Sequence, residues 1–109
     1  MPCNRTQLCG RLETKGALRF SPAGVALIEF TIAHRSEQVE AKASRKVECV
    51  ISALAAEAVA EQVAKLAKGC QIKATGFLAK AGRTSTALVL HVQKIELNEI
   101  EVKNVSSNV

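Results

Sequence analysis

Apolar residues recur at every second position along most of this chain, and the period breaks once, between Ala55 and Gly69. There Ala55, Val59, Val63 and Leu66 return at intervals of three to four, the spacing of one helical face, and Glu61 precedes Lys65 by four. Lys65 and Lys68 suit a last helical turn and Gly69 its end. A chain of 109 residues holds one small domain. It therefore has to place a single short helix among strands.

Period-two alternation marks those strands. The first has Leu8, Gly10 and Leu12 on one side and Gln7, Arg11 and Glu13 on the other. A turn at Ser21-Pro22-Ala23-Gly24 has Pro and Gly at the second and fourth positions that a type I turn favours. The second strand, Val25 to Arg35, faces inward with Ile28, Phe30, Ile32 and His34. Residues 36–46 are polar and charged, and they predict a long, mobile loop. Val47, Cys49, Ile51 and Ala53 define a third strand, and Cys70, Ile72, Ala74 and Leu78 a fourth in which Gly76 permits a bend. In the fifth, Ala87 to Leu97, apolar residues shift from even to odd numbers, which predicts a bulge or sharp coil near Gln93. Three strands, a helix and two strands describe an all-β domain with one short helix, the five-stranded Greek-key barrel called the OB-fold. An SH3-like barrel is the alternative left open, whereas a ferredoxin-like fold would need a second helix. The barrel is expected over residues 1–97, with 98–109 as a flexible tail.

The chain contains no Asp, no nucleophile-elbow or zinc-protease motif and no phosphate-cradling glycine loop, so the residues predict no enzyme and no cofactor. Cys3, Cys9, Cys49 and Cys70 form no CxxC pair, which argues against a zinc site and for reduced core thiols. His34 and His91 fall within apolar alternation and are expected to be structural. No apolar run is long enough for a bilayer and no secretory leader is apparent, so the expectation is a cytoplasmic protein with no membrane association.

Fifteen Lys and Arg against ten Glu give a net charge of +5, which suits an anionic partner. Arg11, Lys15, Arg19, Arg35, Lys42, Arg45 and Lys46 fall in the first two strands and the polar segment, and Lys73, Lys80 and Arg83 in the fourth strand and the turn after it. On an OB-fold, oligonucleotides lie over strands two and three between the loops joining strands one to two and four to five. These cations are the candidates to hold nucleic acid, Lys46 and Lys73 among them, with Phe77 as a base-stacking ring. Phe30 belongs to the core, and the chain has three Phe and no Trp or Tyr. Binding should lean on electrostatics.

The segments NRTQLCGRL, LRFSPAGV, FTIAHRS and GFLAKAGRTSTALVLHVQKIEL resemble the primosomal replication protein N (PriB) family, which is related to single-stranded DNA-binding proteins. The likeness runs over residues 4–97 and is weakest across the helix. It implies a cytoplasmic OB-fold homodimer that binds single-stranded DNA and assists the PriA helicase in restarting stalled forks, with the adaptor DnaT as a further partner in some bacteria. The family's DNA contacts carry over onto Arg19, Arg35 and Arg45, and by loop and charge onto Lys80 and Arg83. Glu48 departs from the pattern: the best-known members have a stacking Trp there, and a carboxylate repels phosphate. An ordinary single-stranded DNA-binding protein would be expected to continue into a Gly- and Gln-rich tail with an acidic tip, where this chain ends in Ser107-Asn108-Val109. The rival readings are a protein-interaction OB module with weak or no DNA binding, a minor single-stranded DNA-binding protein, and an RNA-binding OB protein.

Overall fold

The computed structural model describes residues 2–98. In chain order the elements are β1 (Thr6–Lys15), β2 (Arg19–Phe20), β3 (Ala26–Glu40), β4 (Ala43–Ala56), α1 (Glu57–Lys65), β5 (Gln71–Lys80) and β6 (Leu88–Leu97). The sheet runs β1-β5-β6-β4-β3-β2, and β1 also pairs with β3. That extra pairing closes five strands into a ring, leaving β2 as a two-residue strand on the outer edge of β3. The protein is thus an OB-fold. The expected tail, beyond Asn98, lies outside the described residues.

Inward alternation supplies the core. Leu12, Ile28, Phe30, Ile32, Ala53, Ala55, Ile72, Ala74, Leu90 and Val92 fill the barrel, and Ala60 and Val63 of α1 cover it. Leu12 is fully buried. Leu12→Ala should therefore cost about 2–5 kcal/mol, read as a lower urea midpoint.

Closing so small a ring requires kinks. Thr75 pairs with Lys94 and Gly76 with Val92, so Gln93 is the extra residue of a β6 bulge, as its phase change predicts. A second bulge, at Glu13, lies between the Leu12–Ile32 and Thr14–Thr31 pairs of β1 and β3. The Ser21–Gly24 turn forms as expected, with the Gly24 amide donating to the Ser21 carbonyl at 2.8 Å.

The helix is shorter at both ends than its periodicity predicts. Ala55 and Ala56 remain in β4, paired with Ile28 and Leu27. At the other end Leu66 turns extended (φ −81°, ψ 145°). Lys15 Nζ donates to the Ala64 carbonyl at 2.9 Å and the Leu66 carbonyl at 2.6 Å, satisfying groups the helix leaves orphaned. This lysine, counted among the surface cations, ties β1 to the helix end.

The predicted loop at residues 36–46 is instead the far half of a β-hairpin. β3 and β4 stay in register from Leu27–Ala56 out to Glu40–Ala43. The turn residues Ala41 and Lys42 have φ of 52° and 66°. Two consecutive left-handed residues make the tight hairpin turn that Asn-Gly usually signals. The ribbon runs past the barrel's end, so no apolar alternation marks it. For the same reason Val47 and Cys49, expected to point into the core, are half-buried and exposed respectively, although they continue its inner face. None of the four thiols is buried: Cys3 and Cys49 are exposed, Cys9 and Cys70 half-buried. Burial pushes the Cys70 thiol above its ordinary value, opposed by its backbone hydrogen bond and by Lys15.

Candidate nucleic-acid interface

Antiparallel partners share a face, so the β3–β4 register sorts the candidate cations. Arg35 lies opposite Glu48, and Lys46 opposite Glu37, on the outer face with Thr31, Ala33 and Val50. Arg19, paired with Leu27, joins this face from β2. Arg45 pairs with Gln38 and therefore projects from the other side of the ribbon. Lys73 and Phe77 belong to β5, which is bonded to β1 and β6 and to neither β3 nor β4. The structure thus brings Arg19, Arg35 and Lys46 onto one strip about 33 Å long, from Leu27, opposite Arg19, to Glu37, opposite Lys46, along β3 at roughly 3.3 Å per residue. It does not bring Arg45 or Lys73 onto that strip.

The strip is not a uniformly basic trough. Arg35 Nε and Nη2 both reach Glu48 Oε1 at 3.1 Å. Arg19 Nη2 lies 3.6 Å from Glu29, and on the other face Arg45 Nη1 lies 3.3 Å from Glu40. Arg19, Arg35 and Lys46 thus face Glu29, Glu37 and Glu48, three charges of each sign. All of these pairs are exposed, with side-chain exposures of 84% and 62% for Arg35 and Glu48, and such pairs are worth only about 0–1 kcal/mol. Phosphate can compete with them. Among the described residues Lys46, Lys73 and Arg83 form no ion pair.

A groove of about 660 Å³ opens where β1 parts from β3, lined in part by Cys9, Arg11, Ala33, Arg35, Glu48 and Val50. Arg11 is held by Glu13 at 2.8 Å. Val50 is 62% exposed between these charges. The apolar patch between guanidinium groups offers a surface for a base.

The connection between β5 and β6, at residues 81–87, carries the remaining candidates. Lys80 Nζ donates to the Arg83 carbonyl at 3.1 Å, which folds the loop back on itself and leaves the Arg83 side chain exposed. Phe77 does not stand free for stacking: it lies parallel to its cross-strand neighbour His91, ring centroids 5.0 Å apart and planes within 2°. Both flank a second groove of about 380 Å³ reaching Leu54 and Val92.

His34 is structural, as expected. Its Nδ1 meets the Cys9 carbonyl and its Nε2 the Ser36 hydroxyl, each at 2.7 Å, which ties β3 to β1 where their ladder ends. Among the described residues no group of three or more His, Cys, Asp or Glu is placed to hold a metal ion.

With Phe30 in the core the sequence leaves two rings, Phe20 and Phe77, and favours Phe77. Phe20, next to Arg19 on β2, is 66% exposed, and its pairing with Ala26 directs it to the opposite side of the strand from Arg19. Its place just before the Ser-Pro-Ala-Gly turn, at a strand with only one neighbour, is the signal that could have singled it out.

A family model described as "another single-strand binding protein family" matches residues 4–94. Among curated proteins, the chain is 36% identical to the replication restart protein PriB of Nitrosomonas europaea over 90 residues, covering 83% of each chain. It is 38% identical to PriB of Bordetella pertussis over 91 residues, covering 84% of this chain and 85% of that one. Among solved structures, the PriB protein of Ralstonia solanacearum superposes with a TM-score of 0.81 at 33% identity, covering 89% of this chain and 99% of that one.

Proposed function

Since this chain belongs to the PriB family of replication restart proteins, within the wider single-strand binding family, we propose that it binds single-stranded DNA without catalysis through the β2–β3–β4 face and assists the PriA helicase at stalled forks. In this reading it acts as a cytoplasmic homodimer, and DnaT is a further partner. The observation that carries it is the gathering of Arg19, Arg35 and Lys46 on one outer face, flanked by the residue 16–25 and 81–87 connections, which is the surface an OB-fold gives to oligonucleotides. Lys80 and Arg83 extend the path at one end, and Arg45 meets the strand from the ribbon's other side. Lys73 and Phe77 serve as secondary contacts, reached only by a strand that wraps beyond β6. Phosphates displace Glu29 and Glu48 from their arginines, and the released counterions supply the drive. A second surface holding the helicase would raise its local concentration on the same strand.

Fluorescence anisotropy of a labelled thymidine oligomer, with duplex and ribo-oligonucleotide as competitors, tests the assignment. Single-stranded DNA should compete best. Preference for the ribo-oligomer would favour an RNA-binding protein, and no binding to either, together with capture of the helicase, would favour a protein-interaction module. Phe20, paired with Ala26 and so on the opposite side of β2 from Arg19, serves as a base platform only for a strand that passes over the β2 edge, and in that case Phe20→Ala should weaken oligomer binding by about 1–2 kcal/mol without lowering the melting temperature. Unchanged affinity would remove Phe20 from the path.

A further inference from the structure

Arg35 and Glu48 are directly opposite in the β3–β4 ladder, so their contact is imposed by strand register and not by a chance meeting of two long side chains. The guanidinium offers its Nε–Nη2 edge, and both nitrogens spend themselves on a single oxygen, Glu48 Oε1, at 3.1 Å. That edge is one a phosphate would take in a forked contact. The other two cations named with Arg35 are held more loosely, Arg19 at 3.6 Å and Arg45 through one nitrogen at 3.3 Å. The Arg35–Glu48 pair also lines the groove between β1 and the ribbon.

We infer that Glu48 is an intramolecular competitor of single-stranded DNA for the Arg35 guanidinium, and that breaking this cross-strand pair sets the affinity of the interface. Glu48 touches no DNA in this scheme and acts through Arg35, so it is a positioning residue. The inference rests on the DNA-binding reading above and gives it a stated energetic brake: each strand that binds has to free the fork before a phosphate can enter it.

The test compares Glu48→Gln with Glu61→Gln, an exposed glutamate of α1 that makes no ion pair among the described residues and alters net charge equally. Measured with a thymidine oligomer at fixed salt, E48Q should tighten binding about fivefold, the factor that one unit charge at roughly 4 Å in water is worth. E61Q should change it less than twofold. In an Arg35→Gln background the gain from E48Q should vanish, because the competitor has lost its object. Equal effects of E48Q and E61Q, or a gain that survives R35Q, would overturn the inference while leaving DNA binding itself intact. If neither the unaltered protein nor any variant retains the oligomer, both the inference and the reading beneath it fall.

Discussion

Gly76→Ala is expected to lower the melting temperature by about 15 °C or more, the consequence of adding one methyl group. A Cβ at this position would run into the His91 carbonyl oxygen and come within 3.0 Å of the Val92 Cα, both of them backbone atoms of β6 at its bulge. A side chain could turn away, but a paired strand cannot without giving up its ladder. Overpacking a core usually costs about 1–3 kcal/mol. A collision with backbone at the barrel's closure should reach about 3 kcal/mol or beyond, and in a domain of this size each 1 kcal/mol shifts the midpoint by roughly 4–8 °C. Gly82→Ala is the control: nothing lies within 4 Å of the place its added methyl group would take, so it should stay within about 0.5 kcal/mol of the parent. Thermal melts by circular dichroism decide the matter. Equal midpoints for the two variants would mean that the β5–β6 bulge does not constrain the barrel.

The second large effect concerns binding. The triple variant Arg19→Gln, Arg35→Gln, Lys46→Gln should lose about 100-fold in affinity for a thymidine oligomer, from three phosphate contacts each worth roughly fivefold near water's dielectric. Its melting temperature should fall by no more than about 5 °C, because the two ion pairs it removes, Arg19–Glu29 and Arg35–Glu48, are exposed and individually weak. Moving the same three neutralisations to Lys65, Lys68 and Lys94, off this face, should cost far less affinity. Comparable losses for the two triples would show that net charge and not the β2–β3–β4 strip attracts the strand.

Much of this barrel can be read from the order of its residues wherever one face is buried. Ile28, Phe30 and Ile32 announce β3 because their partners on β4 and β1 complete the core. The even-to-odd change in β6 announces the Gln93 bulge because burial resumes after it in the opposite phase. Past His34 that signal fades. The hairpin from Ser36 to Val47 has water on both sides, and its Ala41-Lys42 turn lacks the glycine or asparagine that usually accompanies positive φ, so it reads as a loop. The Glu13 bulge stays hidden too, since only Leu12 is buried near it.

The site is legible in kind and not in arrangement. Cations can be counted, but the register that sets Arg35 against Glu48, 13 residues away, depends on where the hairpin turns. Sequence spacing likewise cannot tell that Arg45 and Arg35 project from opposite faces, or that Phe77 already has His91 for a stacking partner. Lys15 reads as a surface charge and is a helix cap, because residues 49 and 51 positions away bring their carbonyls to it.

At the centre stands the claim that an unpaired strand displaces carboxylates from a face of this barrel and is held there by phosphate contacts. The most direct measurement is the salt dependence of thymidine-oligomer affinity. With three to four phosphates neutralised by Arg19, Arg35, Lys46 and the 81–87 loop, log affinity should fall against log salt with a slope of about −2 to −3, at roughly −0.7 per phosphate on single strands. A slope indistinguishable from zero would contradict it.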